Sequence, residues 1–141
     1  MKYYPVFLDI RGKKCVVVGG GEVAARKVSR LLGCEAHVLV VSPQLTPELI
    51  TLKAEGAIEH VAADYDSRYI KEAVLVIGAT NNEKINAAVS SDARSRGIPV
   101  NIVDDPQKCN FILPAVVERG DLTIAVGTGG KSPALARRLR E

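Results

Sequence analysis

Lys14-Cys15-Val16-Val17-Val18-Gly19-Gly20-Gly21-Glu22-Val23-Ala24 decides the architecture of this chain. The apolar, β-branched run up to Val18 shows no polar alternation, which is the pattern of a strand covered on both faces. It stops at glycine. From residue 22 to 32 the apolar side chains Ala24, Val28, Leu31 and Leu32 recur at helical spacing, and Gly33 is placed to end the helix. The turn between strand and helix fits G-x-G-x-x-A. Gly19 permits the tight turn, Gly21 lets backbone approach a pyrophosphate, and Ala24 lets helix and strand pack closely. The free N–H groups and positive dipole end of such a helix attract phosphate oxygens, so the site is made by missing side chains. The plain alternative is a glycine turn that joins strand to helix and holds no ligand.

The alternation continues down the chain. Residues 36–41 read as a strand, 46–55 as a helix before Gly56, and 58–61 as a strand. A helical turn over 69–73, a buried strand over 74–79, a helix over 83–96 before Gly97 and a strand over 100–103 follow. This order predicts an α/β fold with a Rossmann-like, doubly wound parallel sheet. After Asp104 the pattern changes. Residues 110–117 and 122–126 flank Glu118-Arg119-Gly120-Asp121, which predicts an antiparallel β-hairpin with a four-residue loop. Beyond it Ser132 is placed as N-cap and Pro133 as first residue of a last helix. We therefore divide the chain into an NAD-binding domain, residues 1–110, and a hairpin with the start of a dimerisation helix, residues 111–141. So small a second part cannot build a core alone, and its apolar face is expected against a second subunit.

Composition narrows the function. The 141 residues are 47% hydrophobic and 25% charged, which suits one globular domain with a small appendage and argues against disorder. No apolar run approaches the roughly 20 residues that span a bilayer. Met1-Lys2-Tyr3-Tyr4-Pro5 has no leader-like apolar run, so a cytoplasmic protein without membrane contact is expected. Cys15, Cys34 and Cys109 lack CxxC spacing and are expected to be small buried hydrophobes; no metal site is assigned. Four of the 19 basic residues and one of the 16 acidic ones lie in 131–141, so the +3 charge sits there and the body is neutral. With aromatics at 4% and no tryptophan, nucleic acid is not an expected partner.

The chemistry has to come from the loops at the carboxyl ends of the strands. A ribose-binding acid about 20 residues after the glycines is missing. Ser42, Pro43 and Gln44 offer hydroxyl, backbone and amide groups to an adenosine ribose in its place. Between Val38 and Leu52 there is no Lys or Arg to neutralise a 2′-phosphate, which favours NAD over NADP. Asp104 follows the apolar Asn101-Ile102-Val103 and could reach a nicotinamide as a proton acceptor, or it could simply start the turn before Pro106. Asp105 is read as a turn residue, and His37 and His60 as structural. No GxSxG elbow occurs. Residues 125–132 imitate a P-loop but carry Ala125 where that motif needs glycine.

Several segments together carry a resemblance. They are Tyr4-Pro5-Val6-Phe7-Leu8, Val18-Gly19-Gly20-Gly21-Glu22-Val23-Ala24-Ala25-Arg26-Lys27, Ala79-Thr80-Asn81, Asn101-Ile102-Val103-Asp104-Asp105-Pro106, Phe111-Ile112-Leu113-Pro114-Ala115 and Gly129-Gly130-Lys131-Ser132-Pro133-Ala134-Leu135-Ala136-Arg137. In this order the chain resembles the N-terminal module of siroheme synthases, the precorrin-2 dehydrogenase and sirohydrochlorin ferrochelatase family. The resemblance implies NAD-dependent oxidation of precorrin-2 to sirohydrochlorin and, in bifunctional members, insertion of ferrous iron. It implies a homodimer made by exchange of the hairpin and following helix. It places Asp104 at the catalytic aspartate and Gly19, Gly21, Glu22, Val23, Pro43 and Gln44 at cofactor positions. Gly20, Ser42 and Thr80 are our additions to that set, and Thr128 stands where relatives can have serine. Lys131, Arg137, Arg138 and Arg140 could attract a polycarboxylate substrate or merely form a solvated helix face. From the residues themselves a non-catalytic, NAD-binding regulatory or scaffold module stays open beside the enzyme.

Overall fold

The computed structural model describes residues 2–127 and Arg138. The expected last helix, with Thr128 and the basic residues 131, 137 and 140, lies outside the described residues. The chain divides into two compact units, Leu8–Asn110 and a second made of Met1–Phe7 with Phe111–Glu141. The first seven residues thus group with the hairpin segment, whereas the sequence reading placed them in the first domain.

The larger unit is a five-stranded sheet in the order β3-β2-β1-β4-β5, with every pairing parallel. Its elements run β1 Lys14–Val18, α1 Glu22–Gly33, β2 His37–Val41, α2 Pro47–Ala54, β3 Glu59–Val61, β4 Leu75–Gly78, α3 Glu83–Ser95 and β5 Val100–Ile102. One 3-10 turn, Ser67–Ile70, precedes β4 and a second, Pro106–Lys108, follows β5. The central strand shows why the apolar run could not alternate. Val16 and Val18 pack with Val89 and Ala93 of α3, while Val17, between them, faces the opposite side of the sheet, where α1 packs on β1. Both faces are covered, and Cys15, Val16 and Val17 are fully buried.

Helix ends follow local chemistry. Thr46 caps α2 by accepting the Leu49 N–H, with Pro47 just inside the helix. At the end of α1 Gly33 remains helical, and Glu35 takes the left-handed conformation at φ 60°. There Glu35 N–H reaches Leu32 O at 2.9 Å and Ala36 N–H reaches Leu31 O at 3.2 Å, a Schellman closure without its usual glycine. Cys34, at this exposed helix end, corrects the expectation that all three cysteines are buried.

In the second unit β6 Ala115–Arg119 pairs antiparallel with β7 Leu122–Val126. The connection is two residues long. Glu118 and Arg119, expected in the loop, pair with Thr123 and Leu122, and the chain reverses at Gly120, φ 59°, and Asp121. Among the described residues no helix is long and apolar enough to cross a membrane.

Burial pushes the Cys15 thiol up from an ordinary 9.0 to about 11. The folded chain then holds this proton between pH 9 and 11 while the unfolded chain releases it, so stability is intact below pH 9 and falls as pH rises. We expect a loss of about 2–3 kcal/mol across that window. Urea unfolding of the wild type against Cys15→Ala at pH 8 and 11 checks it: the wild type should lose that increment and the alanine chain should not. An equal alkaline loss in both would exclude Cys15 as the cause.

Candidate functional site

Of the five loops that leave the carboxyl ends of the parallel strands, four carry the residues expected at the site: 19–21 after β1, 42–46 after β2, 79–82 after β4 and 103–109 after β5. The chain winds outward from β1 in one direction and from β4 in the other, so the crevice of the sheet opens between these two. All four loops belong to the unit Leu8–Asn110.

The three glycines are required for three different reasons. Gly19, at φ +133°, lies so close to the next loop that a Cβ would collide with the Ala79 carbonyl oxygen. A Cβ on Gly20 would overlap the Gln44 carbonyl oxygen and stand 2.5 Å from Ser42 Oγ. Its own carbonyl accepts the Thr46 N–H at 3.0 Å, which ties the glycine turn to the loop after β2. Gly21 faces the reverse situation, with nothing within 4 Å of the place a Cβ would take. It is the N-cap of α1, and no side chain caps the helix. The first-turn N–H groups therefore face open space that no side chain fills, next to exposed Glu22 and half-buried Val23. Free donors at the positive end of a helix suit a dinucleotide's diphosphate by charge.

The loop after β2 is braced from within. Ser42 is only 5% exposed and donates its hydroxyl to Gln44 O at 2.7 Å. That hydroxyl shapes the loop that Ser42, Pro43 and Gln44 form, the loop read from sequence as the ribose end of the site. Behind it stands His60 of β3. A lysine ammonium can only donate, so His60 Nδ1 accepts from Lys53 Nζ at 3.2 Å, which leaves Nε2 to donate to Ser42 O at 2.9 Å. His60 is structural, as expected, and the bonds it makes hold a loop of the site. Pro43 and Gln44 are exposed and edge a hollow of about 530 Å³ that Ile50, Lys53 and His60 also line. Lys53, just beyond the stretch searched for a 2′-phosphate partner, has its ammonium on His60.

Thr80 has a similar inward role. Its hydroxyl donates to Asn86 Oδ1 at 2.8 Å or Asn82 O at 3.1 Å and accepts the Asn82 N–H at 3.1 Å. Asn82 in turn caps α3 through Lys84 and Ile85 N–H. Thr80, a cofactor residue in the sequence reading, thus fastens the 79–82 loop.

Asp104 follows β5. An Asp105 N–H to Ile102 O bond of 3.1 Å closes a β-turn over Ile102–Asp105, and Asp104 is its third residue at φ 60°. That position of a type II turn is normally glycine or asparagine, and an aspartate there carries a strain of about 1 kcal/mol or more. Its side chain is exposed, and among the described residues no hydrogen bond or ion pair engages the carboxylate. Asp105 is the turn residue expected, bound to Lys108, whose ammonium it raises above the ordinary value. β5 lies two strands from β1, which is roughly 10 Å across the sheet.

Comparison with known proteins adds to this geometry. Residues 6–115 match a family model described as putative NAD(P)-binding, and residues 119–141 match one described as sirohaem biosynthesis protein central. The siroheme synthase of Methylobacillus flagellatus is 49% identical over 140 residues, covering 99% of this chain and 30% of that protein. That of Nitrosomonas europaea is 46% identical over 141 residues, with 99% and 30% covered. The chain thus spans about 30% of the length of the curated relatives it matches. A solved structure titled "SirC, precorrin-2 dehydrogenase" superimposes with a TM-score of 0.83 at 29% identity, over 98% of this chain and 68% of that one.

Proposed function

The chain belongs to the family described as putative NAD(P)-binding, and from that premise we propose that it oxidises precorrin-2 to sirohydrochlorin with NAD. One observation carries the reading: Asp104, an exposed carboxylate with no partner among the described residues, is held in a strained turn on the same sheet edge as an uncapped helix N-terminus. Strain at an aspartate whose carboxylate gains no contact among the described residues favours a use outside the fold.

In this reading the backbone of Gly19, Gly20 and Gly21 and the first-turn N–H groups of Glu22 and Val23 hold the diphosphate. Pro43 and Gln44 border the adenosine end, with Ser42 and Thr80 supporting their loops from behind. Bound there, NAD supplies the hydride acceptor. The substrate must also lose a proton, and the Asp104 carboxylate takes it. If iron is then inserted, two pyrrole N–H protons leave, and the same carboxylate would take them one at a time, passing the first to water before accepting the second.

The second unit serves a homodimer. Ala115, Val117, Leu122, Ile124 and Val126 share one face of the hairpin by register. Leu122 and Ile124 are 57% and 46% exposed, apolar surface that a second copy would cover.

Anaerobic incubation with precorrin-2 and NAD, followed by visible absorbance, tests the enzyme. Appearance of the sirohydrochlorin spectrum together with reduced nicotinamide is expected. A chain that binds NAD yet leaves precorrin-2 unchanged would be a regulatory module instead.

A further inference from the structure

Cys109 stands outside the residues used so far, and its thiol contacts both ends of the turn that carries Asp104. Sγ accepts the Ile102 N–H at 3.1 Å and lies 3.3 Å from Ile102 O and 3.2 Å from Asp105 O, which share its single proton. Within the turn itself only the Asp105 N–H to Ile102 O bond joins the two ends. The thiol adds a second closure from outside, and Asp104 lies inside it.

Cys109 is itself fixed from two directions. From α3, Ser90 Oγ donates to Lys108 O at 2.8 Å, and the Arg94 guanidinium donates to Gln107 O at 2.6 Å and Cys109 O at 3.2 Å. On the next residue, Asn110 Oδ1 accepts the Val100 N–H at 2.7 Å and Asn110 N–H reaches Val100 O at 3.0 Å, which lines the segment up with β5. Helix, segment, thiol and turn make one continuous brace. Burial raises the Cys109 thiol above its ordinary value, so near neutral pH it keeps the proton it donates.

We propose that Cys109 is a positioning residue: its thiol locks the Ile102–Asp105 turn and so holds Asp104 in the left-handed conformation that presents its carboxylate to substrate. The inference rests on the reading of Asp104 as the proton acceptor. An aspartate at φ 60° relaxes toward ordinary backbone angles once the closure is removed, and that movement redirects the carboxylate.

The test is a double-mutant cycle in the full chain. Cys109→Ala is expected to lower kcat for precorrin-2 oxidation about 10-fold or more while the NAD dissociation constant stays within about twofold. Amide hydrogen exchange at Ile102, whose N–H the sulfur accepts, and at Asp105 should quicken about tenfold. Cys109→Ser, which keeps a donor and an acceptor, should recover to within about threefold of wild type. In an Asp104→Asn background Cys109→Ala should have no further effect on rate, because a residue acting through Asp104 has nothing left to position. An unchanged kcat and exchange rate in Cys109→Ala would overturn the proposal, as would an equal loss with and without Asp104. Where the alanine chain does not fold, Cys109→Val, which fills the space without a hydrogen bond, takes its place in the cycle. If Asp104→Asn alone keeps full turnover, the reading of the acid fails, and the exchange measurement still decides whether the thiol holds the turn.

Discussion

Asp104→Asn is expected to leave NAD affinity within about twofold of wild type and to lower the rate of precorrin-2 oxidation by about 100-fold or more. The substitution is clean for a structural reason. Asparagine adopts positive φ at least as readily as aspartate, so the Ile102–Asp105 turn keeps its shape and only proton affinity is lost. The side chain is exposed and engages no partner among the described residues, so no contact is broken and the melting temperature should not move. Single-turnover absorbance measurements beside calorimetric NAD titrations separate the two effects. A variant that turns over at the wild-type rate would remove Asp104 from the chemistry, whatever else the fold contains.

Gly21→Asp should abolish cofactor binding, which Asp104→Asn leaves intact. Open space surrounds this position, and its backbone is ordinary for any residue. Aspartate is a favoured N-cap, so its carboxylate can accept the first-turn N–H groups that now have no side-chain cap and steady α1 by about 1 kcal/mol. The same carboxylate occupies the phosphate's place with like charge. Two such charges about 4 Å apart repel by about 4 kcal/mol at an effective dielectric constant of 20, which corresponds to a loss in NAD affinity well beyond 100-fold. The expected signature is a chain that melts no lower than wild type and no longer binds NAD. Gly20→Ala provides the contrast: its methyl meets backbone at Gln44, so the fold itself should lose about 3 kcal/mol. Unchanged NAD affinity in Gly21→Asp would show that the diphosphate sits elsewhere.

Much of this molecule can be read from local pattern because its punctuation is local. Glycines stop the strands and helices of the parallel sheet and continuous apolar runs mark strands buried twice; the strands and helices of that sheet lie within about one residue of those readings, whereas the turn expected over 69–73 falls at Ser67–Ile70 and the hairpin strand expected from 110 begins at Ala115. The hairpin loop was read too long because an exposed strand tolerates Glu118 and Arg119, so polarity there does not report a turn. The roles of Ser42, Thr80 and Gly20 were hidden for another reason. Each depends on a group 2 to 24 positions away, at Gln44, Asn86 and the 42–46 loop, that only the folded chain brings to it. The His60–Lys53 pair and the thiol of Cys109 carry no sequence signal at all, since their meaning lies in which backbone atoms they reach.

The left-handed aspartate also bears on how this protein would respond to engineering for heat resistance. Glycine relieves the backbone at that position, so a screen that rewarded melting temperature alone would be drawn to replace the residue. If Asp104 takes the proton as proposed, the winning clones would be hardy and inert. Robustness and turnover would then be set against each other at one peptide unit, and any selection for ruggedness in this scaffold would have to assay catalysis in the same round.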